Sequence, residues 1–214
     1  IGYAALSANT TGADNTAIGN QALEANTTAN NNTAVGFQAL EHNTGANNTA
    51  VGKFALESNT TADNNCAFGY GALYNNTTGT LNVALGFATL EANTTGDSNT
   101  AVGAYCLDAN TTGFANAAVG RNALTANTTG AYNNAIGNGA LAACTTGSSN
   151  IAMGSEAGDS ITTGSNNTAL GRYTLQAATT ANDNTAVGGW ALYANTSGNS
   201  NVGVGNSALR NNTT

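Results

Sequence analysis

One glycine recurs along this chain with almost invariant spacing, and that period restricts the fold more than any other feature. Gly2, Gly19, Gly36, Gly52, Gly69, Gly86, Gly103, Gly120, Gly137, Gly154, Gly171, Gly188 and Gly205 follow one another at 17 residues, apart from a single step of 16 between Gly36 and Gly52. The unit is seen cleanly from Asn99-Thr-Ala-Val-Gly103 to Asn110-Thr-Thr-Gly113, and its consensus is G-x-x-A-L-x-x-N-T-T-G-x-x-N-T-A-V. Copies at a fixed short period form a stacked array in which each repeat supplies one turn of structure.

Seventeen residues cannot hold two helices, and the apolar positions do not follow the 3.6-residue spacing of one amphipathic helix. Aliphatic and β-branched residues precede each glycine, whereas Asn, Thr and Gly crowd the other half; these are strand and turn compositions. The pattern predicts an all-β chain, a parallel β-solenoid or β-roll of 17-residue coils. One short strand is expected at N-T-A-V-G and a second at A-L-x-x, with turns at x-x and at N-T-T-G-x-x. Residues 1–214 read as a single array of about thirteen coils, cut from a longer chain. At a coil spacing of about 4.8 Å the array would be roughly 60 Å long. The short step drops one Thr at Asn43-Thr-Gly45. A deletion inside a strand would turn every later side chain to the wrong face, so this segment must be a turn.

Each slot of the repeat then receives a role. The residue before glycine (Ile18, Val35, Val51, Phe68, Leu85, Val102, Val119, Ile136, Met153, Leu170, Val187, Val204) is always apolar and is assigned to the core. It is expected to face the leucine four after glycine: Leu23, Leu40, Leu56, Leu73, Leu90, Leu107, Leu124, Leu141, Leu175, Leu192 and Leu209. Two before glycine stand Ala17, Ala34, Ala50, Ala67, Ala84, Ala101, Ala118, Ala135, Ala152, Ala169 and Ala186, then Gly203. In a strand this residue points opposite to the core aliphatic. Its restriction to a small side chain predicts a closely packed interface on that face. Burial within one thin coil falls short of the entropy lost in ordering it, so several chains are expected to associate along the Ala column.

Asn recurs thirteen after glycine as Asn15, Asn32, Asn48, Asn65, Asn82, Asn99, Asn116, Asn133, Asn150, Asn167, Asn184 and Asn201. An amide at a stacked position can bond the neighbouring coils and cap its turn, so the column is read as a structural ladder. A second Asn column, seven after glycine, runs to Asn110 and Asn127, gives way to Cys144, Ile161 and Ala178, and resumes at Asn195. Three apolar substitutions in successive copies are what vertical stacking predicts, since an amide above a methyl loses its partner. Gly158 replaces the core leucine in that block, and Ile161 is expected to swing in over it.

Composition removes several function classes. With 7% charged residues and only Lys53, Arg121, Arg172 and Arg210 as cations, no phosphate-neutralising stripe exists, and nucleic-acid binding is not expected. No apolar run is long enough for a membrane helix, so this segment is not expected to insert in a bilayer. Cys66, Cys106 and Cys144 fall in different slots and read as small substitutes for Thr, Ala and Asn, neither disulfide framework nor zinc site. His42, the one histidine, has no partner at a motif spacing. No catalytic set, metal site or cofactor is expected, and the chain reads as a non-enzyme.

Three surface features carry the remaining functional readings. Glu24, Glu41, Glu57, Glu91 and Asp108 share one slot, with Tyr74 between them. Stacked carboxylates repel, so this column should be exposed, as a solubilising edge or a Ca²⁺-gathering row. Aromatic residues lie just after glycine at Tyr3, Phe37, Phe54, Tyr70, Phe87, Tyr105, Tyr173 and Trp190; Tyr105, Tyr173 and Trp190 are the candidate receptor contacts. Thr pairs such as Thr27-Thr28 and Thr60-Thr61 raise an alternative, an ice- or surface-binding solenoid built on Thr and Asn ladders, but they sit in a turn beside Gly.

At the A-[VI]-G-x-x-A core the chain resembles the head repeats of trimeric autotransporter adhesins of the YadA type. The longer form from Asn99 to Gly113 is similar to repeats of phage tail fibres and related virion-associated fibres. The resemblance spans the whole chain, although the period is longer than that of the adhesin heads. It implies a homotrimeric parallel β-roll, left-handed being one option for its coil, with the small-residue face near the three-fold axis. The expected function is a structural or adhesive fibre segment at an extracellular, virion or cell surface, with a cell-surface receptor or glycan as partner.

Overall fold

The computed structural model describes residues 1–214 and contains strands and turns but no helix. Each repeat contributes one three-residue strand. These are β1 (Thr16–Ile18), β2 (Thr33–Val35), β3 (Thr49–Val51), β4 (Cys66–Phe68), β5 (Val83–Leu85), β6 (Thr100–Val102), β7 (Ala117–Val119), β8 (Asn134–Ile136), β9 (Ile151–Met153), β10 (Thr168–Leu170), β11 (Thr185–Val187) and β12 (Val202–Val204). The chain divides into two compact units, Ile1–Thr112 and Gly113–Thr214. Within the first, β1 to β6 pair in chain order. Within the second, β7 to β12 do the same. Every one of these pairs is parallel and sets like slots opposite each other, as Ala67 lies opposite Ala84. Each unit is therefore a parallel β-solenoid with one coil per repeat.

The second expected strand does not form. The A-L-x-x segment is a corner in which two residues of each coil take left-handed backbone: Gln21 (φ 58°) and Leu23 (φ 53°), then Gln38 (φ 55°) and Leu40 (φ 53°). Reversing the chain within so few residues requires this alternation, and stacking satisfies the backbone despite it. Gln21 N–H donates to Tyr3 O on one side (2.8 Å), while Leu23 N–H donates to Ala39 O on the other (3.1 Å). A leucine in this region costs about 1 kcal/mol, and burial of the same side chain offsets it: Leu23, Leu40, Leu56, Leu73, Leu90 and Leu107 are all 0% exposed.

The two faces of the strand are the reverse of the sequence expectation. The alanine column points into the coil: Ala34, Ala50, Ala67, Ala84 and Ala101 in the first unit and Ala118, Ala135, Ala152 and Ala186 in the second are 0% exposed, Ala169 is 1%, and Ala17 at the first strand is half-buried. Their small size is dictated by their own coil, so they form no interface between chains. The large residue before glycine points outward instead: Ile18 is 44% exposed, Phe68 41%, Ile136 43% and Met153 45%, with Val35, Val51, Val102, Leu170 and Val187 half-buried. Coil width is the physical reason. One leucine, two small residues and two asparagines fill the consensus cross-section, so no room remains for a second aliphatic.

Close stacking also explains the recurrent glycine. At Gly69 (φ 132°) a Cβ would lie inside contact distance of the Gly86 carbonyl oxygen in the next coil, and at Gly137 (φ 137°) the same holds for Gly154. A large minority of the interior is polar, most of it asparagine, and both asparagine columns are bonded from coil to coil. In the first column, Asn65 N–H donates to Asn48 Oδ1 (2.9 Å) and Asn65 Nδ2 donates to Gly79 O (2.9 Å); Asn150 repeats this on Asn133 Oδ1 (3.0 Å) and Gly164 O (2.9 Å). The column is thus a ladder within each unit, with its side chains buried from Asn32 to Asn184. In the second, Asn59, Asn76 and Asn93 each donate Nδ2 to the Oδ1 of the asparagine one coil earlier, at 2.6, 2.8 and 2.8 Å. Where this column turns apolar, Cys144, Ile161 and Ala178 are fully buried, and the Ile161 Cδ1 atom lies 3.0 Å from where a Cβ on Gly158 would stand. Ile161 therefore fills the space of the absent leucine.

The 16-residue step leaves the strands in register, with Ala34 opposite Ala50. The turn absorbs it, and one ladder rung is lost: Asn43 Nδ2 keeps the local bond to its turn carbonyl, Gly45 O (2.7 Å), but not the one to the preceding coil, and the buried Asn26 Oδ1 has no partner. An unpaired buried acceptor costs about 1–3 kcal/mol.

Two measurements test this packing. Inserting one Thr between Thr44 and Gly45 restores the consensus turn and should raise Tm by roughly 2–4 °C, the equivalent of about 1 kcal/mol in a domain of this size; a fall in Tm would refute the broken rung. Ala101→Leu overfills the coil and should lower Tm by about 5 °C or more at every protein concentration, whereas an effect confined to high concentration would return the alanine column to an interface.

Candidate functional site

Because every slot stacks on itself, chemistry collects where successive repeats depart from consensus on the outside of the coil. The carboxylate column in the first unit is the first such place. Its members are half-buried rather than exposed, Glu57 having a side chain only 14% accessible. Neighbours relieve part of the repulsion. Gln21 Nε2 donates to Glu24 Oε2 (2.8 Å) and Glu41 Oε1 (3.1 Å), and Ser58 Oγ donates to Glu57 Oε2 (2.9 Å). The Tyr74 phenol bonds the Glu57 carboxylate, and that negative charge, with some burial, raises its pKa above the ordinary tyrosine value.

His42 joins this column, which its sequence spacing did not reveal. Its Nδ1 lies 3.8 Å from Glu57 Oε1 and 3.1 Å from the Glu57 carbonyl oxygen. One ligand atom each of Glu41, His42 and Glu57 fall within 4.8 Å of one another. An imidazole with two carboxylates is a donor set that suits a divalent transition ion such as Zn²⁺ or Mn²⁺ better than Ca²⁺. Position 57 lies over position 41 because both stand five after the central glycine of their coils. Glu41 Oε2 is buried without a partner. Burial first, then the Glu57 and Glu24 charges, raise the Glu41 pKa above its usual value, against the opposing pull of His42 and a hydrogen bond from Gln38.

Aromatic side chains form the second feature. In the first unit Phe37, Phe54, Tyr70, Phe87 and Tyr105 touch in sequence, with centroid separations of 5.6, 5.8, 5.2 and 5.3 Å. Tyr74 adds a further ring 5.9 Å from Phe54. Lys53 Nζ sits 4.6 Å from the Phe54 centroid and 5.4 Å from that of Phe37. Of the candidate receptor contacts, Tyr105 ends this cluster. Tyr173 and Trp190 stack on each other in the second unit (5.7 Å, 29°), with Arg172 packed 4.3 Å from the Tyr173 ring and donating to its hydroxyl (2.7 Å). Phe114 and Tyr132, which lie outside the slots just after the central glycine, form a separate edge-to-face pair at 5.1 Å.

The strand face is the third. Its outward columns are the residue before glycine and the residue opening each strand, such as Thr16, Thr33 and Thr49, then Cys66 and Val83. The Thr pairs lie elsewhere, in the turn, and first hydroxyls of several are engaged: Thr60 Oγ1 donates to Thr77 O (3.0 Å), and Thr77 Oγ1 to Thr94 O (3.0 Å). The cysteines are all free thiols. Burial pushes Cys106 up to about 12 and Cys144 up to about 11, which makes them packing residues rather than nucleophiles.

Compared with known protein families and with curated proteins, the chain finds no match.

The Glu41 environment has a pH signature. Its folded pKa stands above the unfolded value near 4.5, so the folded state holds more protons across that window and stability falls as pH rises through it. Glu41→Gln removes a buried charge and should raise Tm by about 2 °C at pH 7, with the gain vanishing toward pH 4; calorimetry showing an equal gain at both pH values would contradict this account.

Proposed function

We propose that the chain is a non-enzymatic structural segment of a fibre or adhesin, displayed at an extracellular, virion or cell surface, and that it assembles with further copies through the outward aliphatic face of its strands. The observation that carries this reading is the position of that column. Ile18, Val35, Val51, Phe68, Leu85 and Val102 in the first unit face away from a coil already filled by leucine, alanine and asparagine. Val119, Ile136, Met153, Leu170, Val187 and Val204 do so in the second. A contiguous apolar strip is unusual on a monomer and marks an interaction surface.

A second copy of the chain is the occupant that fits. The column carries no charge in any repeat, and its period is identical in every copy. Parallel chains can then interlock slot by slot around a closed symmetric axis. Three chains are the number implied by the resemblance to trimeric fibres and adhesin heads. This places the large aliphatics at the axis, in exchange for the alanines first expected there. The ice-binding alternative draws less support: the paired turn threonines spend hydroxyls on stacked carbonyls, and Cys66 and Val83 interrupt the strand threonines.

Sedimentation equilibrium of the chain at ~1 to 100 µM should show trimers, and Leu85→Lys with Val102→Lys should yield folded monomers, since burying unpaired charges opposes association. A wild-type chain that stays monomeric and folded across that range would overturn the proposal, and thermal hysteresis in the same sample would favour the ice-binding reading.

A further inference from the structure

Within the aromatic cluster of the first unit one repeat leaves a side chain out. The slot two after glycine holds Gln21, Gln38 and Phe54 in earlier coils and Ala88 and Tyr105 in later ones, but Gly71 between them. All take the same left-handed backbone (φ 58°, 55°, 63°, 49° and 56°, with Gly71 at 63°). A Cβ on Gly71 would meet nothing within 4 Å, so this glycine is not demanded by packing. Its effect is a cleft of about 120 Å³ lined by Phe54, Tyr70, Gly71, Tyr74 and Glu91.

Three rings and one carboxylate border this cleft. Phe54 stands at 76° to Tyr70 and at 74° to Tyr74, so the rings enclose the space from different sides instead of stacking through it. Tyr74 occupies the slot that carries Glu57 and Glu91 in the flanking repeats, which sets an aromatic wall among carboxylates. Walls of negative ring quadrupoles beside a carboxylate attract a cation that is weakly hydrated and apolar on its outside. The volume is too small for a drug-sized ligand, whose sites run to ~300 Å³ and above. Lys53, 4.6 Å from the Phe54 centroid, already shows a cation drawn to the neighbouring rings, while the net charge of −7 favours cationic ligands in general.

We infer that the cleft of Phe54, Tyr70, Tyr74 and Glu91 around Gly71 binds a quaternary ammonium group of the choline type. Every lining residue belongs to one chain, so the inference does not rest on the proposed assembly and can be tested on the Lys-substituted monomer as well.

The test is isothermal titration calorimetry with tetramethylammonium and choline, beside 3,3-dimethylbutan-1-ol as the neutral isostere. Binding of both cations with Kd on the order of 1 mM or tighter, and at least ~10-fold weaker binding of the alcohol, is the expected result. Gly71→Gln places in the cleft the side chain found in two other coils and should abolish binding while the circular dichroism spectrum is retained. Glu91→Gln should weaken binding ~3- to 10-fold, and Lys53→Gln should strengthen it by relieving like-charge repulsion. Phosphocholine in solution and phosphatidylcholine vesicles form two further arms: binding to the soluble form alone assigns a free or sugar-linked headgroup, and binding to both assigns one reachable on a lipid surface. Equal binding of the neutral isostere, no heat with any quaternary cation, or unchanged affinity in both the Gly71 and Glu91 variants would overturn the assignment.

Discussion

A coil that closes in seventeen residues encloses room for a single leucine, and nearly every other position answers to that limit. The inner strand residue must be small, which makes it alanine; the next coil's carbonyl presses on the recurrent glycine, which denies that residue a Cβ. The larger aliphatic of the strand has nowhere to go but outside. A feature that would be a defect in a wide globular core, a row of valines and isoleucines facing solvent, is here the geometric remainder of a core that is full. The proposed association of chains follows from the same limit, because apolar burial that the narrow interior cannot supply has to come from the outer face.

So thin a core also changes what holds the fold together. Asparagine, which a wide interior would exclude, is buried in two columns because each amide both accepts a neighbouring backbone N–H or amide and donates to a turn carbonyl. The ladders give most of these desolvated polar groups a partner, and their repetition lets a chain with little hydrophobic area hold each turn in place. The cost of a missing partner shows at Asn26, beside the one shortened turn.

Chemistry in such an array arises from departures rather than from the motif. Gly71 opens a cleft by leaving out a side chain that its neighbours in the column carry, and Tyr74 sets a ring where those above and below set carboxylates. These positions are unremarkable when each repeat is read alone. They acquire meaning when successive coils lie side by side, so that Phe54 of one coil meets Tyr70 and Tyr74 of the next.

Periodicity by itself determined the solenoid, the coil length, the parallel in-register stacking, the turn at Asn-Thr-Thr-Gly and the asparagine ladder, because a fixed repeat forces identical residues into contact whatever the backbone does between them. It also foretold that Ile161 replaces the leucine lost at Gly158, since the substitution falls within one stacked block. Only the tertiary structure decided which face of the strand is inside. Alternation separates Ala from Val but carries no label for the core, and hydrophobicity points to Val, whereas the deciding quantity is the width of the coil. The second strand failed for a related reason: closing so small a loop requires left-handed backbone at positions such as Gln21 and Leu23, and composition alone does not report curvature. The sites at Glu41, His42 and Glu57 and at Gly71 likewise depend on distances across coils, which a list of spacings does not contain.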